Sequence, residues 1–151
     1  MEAITFSSAI PDDVPALSDL LGLLFSSEAD FHSDPKKQQR ALRMILENSA
    51  TGRIFVAHSG DRIAGMVNLL FLISTAEGGK VLLLEDFIVH PDFRKHGLGT
   101  LLLRHVITFA RQEKFSRITL LTDKHNASAQ GLYLRQGFSP SNMIPLRLHL
   151  S

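Results

Sequence analysis

The stretch from Leu84 to Leu103 (LEDFIVHPDFRKHGLGTLLL) limits what this chain can be more than any other part of it. An apolar strand runs into two acids, Glu85 and Asp86, and then into Phe87-Ile88-Val89. A short loop follows from Pro91 to His96, and Arg94-Lys95-His96-Gly97-Leu98-Gly99 opens an amphipathic helix. A strand, a cationic loop with glycines and a helix N-terminus, in that order, favour an anion. The first N–H groups of a helix lack intrahelical partners, and the helix dipole favours negative charge there. This is not a Walker A loop, because no Gly-Lys-Ser/Thr follows. Nor is it a dinucleotide fingerprint, because Leu102 stands where a third glycine is required. Gly-x-Gly also occurs in purely structural loops, so the rest of the chain has to decide.

Residues 2–7 read as a short strand. Pro11-Asp12-Asp13 begins a helix with Val14, Leu17, Leu20, Leu21 and Leu24 on one face. The loop over 26–35 carries Glu28, Asp30, His32 and Asp34, and a second helix over 36–48 turns Ala41, Met44 and Ile45 to the core. Strands over 53–58, 62–75 and 80–90, joined by tight turns at Ser59-Gly60-Asp61 and Glu77-Gly78-Gly79, predict an antiparallel sheet. Val81 to Leu84 is continuously apolar, the pattern of a strand buried on both faces.

The helix after Gly97 carries Leu98, Leu101, Leu102, His105, Val106 and Phe109 as its core-facing stripe. Residues 117–122 read as another buried strand, and a strand–helix–strand crossover of this length predicts parallel pairing. Asn126 is an N-cap for a helix over 127–135 that Gly137 terminates. Residues 142–150 predict a last strand, irregular or at an edge because of Pro145. The fold class is α/β, with flanking helices on a mixed central sheet whose N-terminal strands are antiparallel.

With 151 residues, 1–151 is read as a single domain able to bury its own core. No cysteine is present, which excludes disulfides, thiolate metal sites and a cysteine nucleophile. Scattered histidines offer no metal-ligand spacing, so no metal is expected; His105 on the apolar stripe reads as a core or boundary residue. A net charge of +1 argues against a nucleic-acid partner. The charge is uneven: residues 1–80 hold seven Lys/Arg and ten Asp/Glu, residues 81–151 nine and five. That suits an anionic ligand in the second half, as it suits solvated surface charge. Neither a signal-peptide pattern nor an apolar run of membrane-spanning length is seen, so a cytoplasmic protein with no membrane partner is expected.

Two motifs carry a resemblance. The first is Glu85-Asp86-Phe87-Ile88-Val89 followed by Pro91, Arg94, Gly97 and Gly99; the second is Asn126-x-x-Ala129-x-x-x-Tyr133-x-x-x-Gly137-Phe138. In that order and at that spacing, within this succession of strands and helices, the chain resembles the GNAT superfamily of N-acetyltransferases. The resemblance implies a parallel pair of strands splayed at the centre of the sheet and acetyl-CoA as co-substrate. It implies a pyrophosphate cradle from Arg94, Lys95, His96, Gly97, Leu98, Gly99 and Thr100, where glycine lets phosphates approach the backbone. Arg94 either adds charge or braces the loop. Phe87, Ile88 and Val89 would pair with the pantetheine arm as a strand does, and an N–H there would stabilise the oxyanion of a tetrahedral intermediate.

Asn126 and Tyr133 lie seven residues apart, on one face of a helix. Asn126 would contact the cofactor, cap the helix, or both. By resemblance Tyr133, the one tyrosine in the chain, protonates the departing thiolate; a phenol with a reference pKa near 10 holds its proton at neutral pH. An alkylamine needs a base before it attacks, and the resemblance offers Glu85 for that role, directly or through water, with His90 as a second candidate and water alone as a third; as a strand acid Glu85 would instead bond a neighbouring strand. Asp86 points to the opposite face if the strand is regular. The resemblance also brings a homodimer, commonly formed through the last strand, as an expectation.

In this fold the first two helices cover the acceptor side. Glu28, Asp30 and Asp34, with Glu85, would attract a cationic amine, and as plain loop acids they would be solvated. The expected reaction is attack by a primary amine, of polyamine or amino acid type, on acetyl-CoA. A protein or peptide amine, another acyl donor, and an inactive acyl-CoA-binding or regulatory module are the alternatives.

Overall fold

The computed structural model describes residues 2–27 and 32–151. Five strands form one sheet in the order β1-β2-β3-β4-β5: β1 (Ile4–Ser8), β2 (Gly52–Ser59), β3 (Arg62–Ser74), β4 (Gly79–Val89) and β5 (Ile118–Leu120). The first four pair antiparallel, and β4 pairs parallel with β5. Helices α1 (Val14–Ser27) and α2 (Pro35–Glu47) cover one face. Helices α3 (Leu98–Gln112) and α4 (Ala127–Arg135) lie on the other. Short 3-10 turns at Pro11–Asp13 and Pro91–Phe93 lead into α1 and toward α3.

The strands alternate as a sheet covered on both sides requires. Ile54, Val56 and Met66 pack with Val14, Leu17, Leu21 and Leu42 beneath α1 and α2. Phe55, Val67 and Leu69 pack with Leu82, Leu84 and the α3 residues Leu102, Leu103 and Val106. Each leucine sealed in this way contributes about 1.5–3 kcal/mol of burial.

Several sequence expectations shift. Leu101 is 45% exposed while Leu103 is fully buried, so the core face of α3 is rotated from the expected stripe. On α2 the buried residue is Leu42, whereas Ala41 and Met44 are exposed. Strand β5 is only three residues long, and Leu121 beyond it is exposed. The last strand expected over 142–150 does not form: that segment has no regular structure and pairs with no strand. A strand needs a ladder, and Pro145 removes one donor from a segment already short of partners.

No described helix is long and apolar enough to cross a membrane. His105 is a core-edge residue, stacked on Phe6 at 4.7 Å between ring centroids and edge-on to Phe55 at 4.7 Å. Burial pushes its pKa below 6.5. The folded chain then binds fewer protons than the unfolded chain below that value. This contribution to stability is complete above pH 6.5 and is lost as pH falls through the folded value. Denaturant titrations between pH 7 and 5 should show this acid weakening, and His105→Phe should flatten it.

Candidate active site

The site is built where β4 stops being regular. Asn68 of β3 pairs with Glu85, but Met66 pairs with Ile88, so Asp86 and Phe87 stand opposite the single residue Val67. This is a β-bulge. Asp86 takes φ = 54°, a conformation that non-glycine residues adopt uncommonly and Asp more readily than most. The extra residue resets the alternation of the strand. Phe87 joins the α3/α4 side with Leu82 and Leu84, and Ile88 joins the α1/α2 side.

The expectation that Asp86 points away from Glu85 therefore fails, because the strand is not regular. Both acids line both of the cavities that meet here. Asn68 Nδ2 donates to Asp86 Oδ2. Burial, and secondarily the neighbouring Glu85, raise the Asp86 carboxyl to about 6, while the Asn68 bond pulls the other way. Glu85 itself is exposed.

The parallel ladder between β4 and β5 holds only from Leu82↔Ile118 to Leu84↔Leu120. Beyond it β5 has ended, while β4 runs on to Val89. A cavity of about 350 Å³ lies in the gap, walled by Leu84, Phe87, Thr122, Asn126, Ala129 and Tyr133 together with the two acids. Asn126 caps α4, its Oδ1 accepting from the Ala129 N–H at 3.1 Å, and so serves the helix and the cavity wall together. Tyr133 is 8% exposed, with its ring edge-on to Phe87 at 6.0 Å and to Phe138 at 5.8 Å.

The loop into α3 is firmly anchored. Phe93 is buried, and Arg94 Nε donates to the Val89 carbonyl at 3.1 Å, so the Arg94 side chain braces the loop. Arg62 ties the same loop down through Asp92 at 2.7 Å and lies over the Phe93 ring. His90 accepts from the Asp92 N–H through Nδ1 and belongs to neither cavity wall.

Lys95 and Gly97 have φ of 67° and 76°, and Gly97 is the N-cap of α3. The loop thus turns through left-handed conformations just before the first N–H groups of the helix. Gly97 is explained by its φ alone. Gly99 is not: a Cβ there would meet only ordinary contacts, with Leu132 at 3.4 Å and with Phe87 and Val89 at 3.8 Å. The chain's own packing leaves room at this turn. The first turn of α3 abuts Phe87, which abuts Tyr133, so loop, strand end and α4 form one continuous surface.

The second cavity, about 570 Å³, lies between α1, α2 and the sheet. Leu21, Phe25, Leu42, Met44, Ile45 and Leu70 make most of its wall, with Asn68, Glu85 and Asp86 among its polar groups. The sequence reading missed this cavity, although the stripe Ala41, Met44, Ile45 that it assigned to the core lines it. Of the acids expected to draw an amine, Glu28 and Asp30 lie outside the described residues. Asp34 caps α2, accepting from the Lys37 N–H, and contributes to neither cavity wall. Among the described residues no group of three or more His, Cys, Asp or Glu is placed to hold a metal.

Comparison with known proteins agrees with this architecture. Residues 16–138 match the model of the acetyltransferase (GNAT) family. The chain is 29% identical to an uncharacterized N-acetyltransferase, YhfO, of Bacillus subtilis over 76% of this chain and 78% of that one. It is 33% identical to N-acetyltransferase 8F1 of Rattus norvegicus over 60% of this chain, and the match spans only 41% of that longer protein. Among solved structures, an integron cassette protein from the mobile metagenome of Cole Harbour Salt Marsh superposes with a TM-score of 0.83. It is 27% identical, over 97% of this chain and 90% of that one. A predicted acetyltransferase of Clostridium acetobutylicum, solved with acetyl-CoA, shares the fold at a TM-score of 0.78 and 18% identity, over 97% and 96% of the two chains. With the family model matching residues 16–138, most of the chain, this chain belongs to the GNAT family of acetyltransferases.

Proposed function

We propose that the chain transfers the acetyl group of acetyl-CoA to the primary amine of a small molecule by direct attack through a tetrahedral intermediate. The observation that carries this reading is the gap between β4 and β5. It lies between the end of β4 and Tyr133, is bordered by a strand edge that has lost its ladder, and its wall residue Phe87 abuts the first turn of α3.

The residues present fit the co-substrate. The backbone of Lys95, His96, Gly97, Leu98, Gly99 and Thr100 would hold its pyrophosphate at the α3 N-terminus. Glycine at 99, which the chain's own packing does not require, lets a phosphate approach the backbone. Phe87, Ile88 and Val89 would offer backbone groups to the pantetheine arm, and a strand-end N–H would steady the oxyanion. Asn126 would border the arm. Tyr133 supplies the proton with which the thiol departs, and a strand carboxylate, Glu85 or its neighbour Asp86, frees the amine of its own. Glu28, Asp30 and Asp34 remain a candidate outer attraction for a cationic acceptor.

A homodimer belongs to the same reading. Met143, Ile144, Leu146, Leu148 and Leu150 are each at least 78% exposed, and Ile144, Leu146, Leu148 and Leu150 alternate with other residues as a half-buried strand does. Five large apolar side chains in water are an incomplete interface, and a second copy would complete it.

Two measurements test these points. Tyr133→Phe should lower kcat for thiol release by roughly 100-fold while leaving the Kd for CoA near its original value, since a positioned acid contributes about that much. Unchanged turnover would remove Tyr133 as the acid, and acetyl transfer absent in both proteins would favour an acyl-CoA-binding module. Light scattering should find the full chain as a dimer and a chain ending at Pro140 as a monomer. Equal masses per particle would rule out the tail as the dimer contact.

A further inference from the structure

We propose that the acceptor is a monoamine with an apolar body, and that Asp86, held by Asn68, receives its nitrogen and takes its first proton. This rests on the acetyl-transfer reading above and narrows it.

The geometry starts from Asn68. It is 4% exposed, its Nδ2 is used on Asp86, and its Oδ1 has no hydrogen-bond partner among the described residues. The Asn68 bond holds the Asp86 carboxylate in place, and that carboxylate is the group left to meet a ligand's ammonium. Asn68 and Asp86 both line the larger cavity. An alkylammonium brings three N–H donors. One meets the Asp86 carboxylate that Asn68 holds, and the nitrogen is then fixed at the bulge, where the larger cavity adjoins the smaller one that Asp86 also lines.

The rest of the larger cavity sets the body of the acceptor. Leu21, Phe25, Leu42, Ile45 and Leu70 offer an apolar wall. Lys37, Glu85 and Asp86 are the only charged side chains lining it among the described residues. A polyamine would have Glu85 alone to pair a second ammonium and nothing to pair a third, and would lay them along leucines with a lysine close by, where charge is costly. A single ammonium with a hydrocarbon body pays no such penalty.

Asp86 is better placed than Glu85 to act as base. It is the bulged residue, bonded to Asn68, whereas Glu85 is exposed. Burial brings the Asp86 carboxyl to about 6, close to the pH at which a base must both hold and release a proton. The titratable groups around it are Glu85 on its own strand, Lys37 from α2, Asp123 and His125 after β5, and Tyr133 from α4. The α1 residues on these walls, Leu21, Leu24, Phe25 and Ser27, carry no charge.

The step balances. The ammonium gives one proton to Asp86, the freed nitrogen pair forms the C–N bond of the tetrahedral intermediate, and its collapse breaks the C–S bond of the thioester. Tyr133 gives its proton to sulfur and regains one from the acylated nitrogen. Asp86 then returns its proton to water, leaving an amide, a free thiol and one released proton.

The experiment follows thiol release with acetyl-CoA and 2-phenylethylamine, n-hexylamine, spermidine or a lysine peptide across pH 5–9, alongside the Kd for CoA. The two apolar monoamines should exceed spermidine at least tenfold in kcat/KM, with an acid limb near pH 6. Asp86→Asn should lose at least 100-fold and the limb, keep its affinity for CoA, and unfold at a higher temperature at pH 8, where ionised Asp86 weakens the fold. Glu85→Gln should keep the limb. Release with spermidine or peptide in preference to the monoamines overturns the acceptor class alone. A limb lost in Glu85→Gln and kept in Asp86→Asn overturns Asp86 as the base. No release with any amine overturns acetyl transfer and this proposal together.

Discussion

One inserted residue in β4 organises the site. In a regular strand Ile88 would share a face with Leu82 and Leu84, and Phe87 would turn toward α1 and α2. Opposing Val67 with both Asp86 and Phe87 reverses this. Phe87 lands beside Tyr133 and the first turn of α3, Ile88 seals the core under α1, and the carboxylate of Asp86 just before them reaches Asn68. A bulge also bends its strand and sharpens its twist. The ladder to β5 ends at Leu84, two residues before the bulge, so the gap and the acid placement adjoin.

Such a feature is costly, and the rest of the fold carries that cost. Asp86 combines positive φ, partial burial and a like-charged neighbour, each of them unfavourable. Fully buried residues flank it on both faces: Met66 and Leu42 on one, Val67, Leu69 and Leu102 on the other. A core sealed on both sides can keep a strained carboxylate in place, and perturbed acids of this kind gather where chemistry is done.

Much of this was legible in the sequence. Glu85 to Val89, the glycine loop, Asn126 and Tyr133 announced the strand, the helix start and the capped helix, and α4 occupies the residues its cap and terminal glycine imply. Period and capping are local, and local signals survive folding. The bulge was not legible, because nothing in Leu-Glu-Asp-Phe marks which residue the neighbouring strand will skip; that is settled by pairing with β3. The core face of α3 was misjudged between Leu101 and Leu103 for a similar reason, since leucine fills three successive positions and only the packed sheet chooses among them. The last strand was over-read: alternation in Ile144, Leu146, Leu148 and Leu150 promises a half-buried strand without saying what it pairs with.

The α2 stripe shows what such a misreading is worth. Ala41, Met44 and Ile45 have the spacing of a core face, yet of the helix only Leu42 is buried. Evolution's usual reason for an apolar stripe is a core to fill. Here the stripe faces a cavity with the carboxylates of Glu85 and Asp86 on its wall. An apolar face without a core is costly in water, and a carboxylate without a counter-ion is costly out of it. One ligand with a hydrocarbon body and an ammonium head relieves both at once, whereas a purely polar or purely apolar ligand relieves only one.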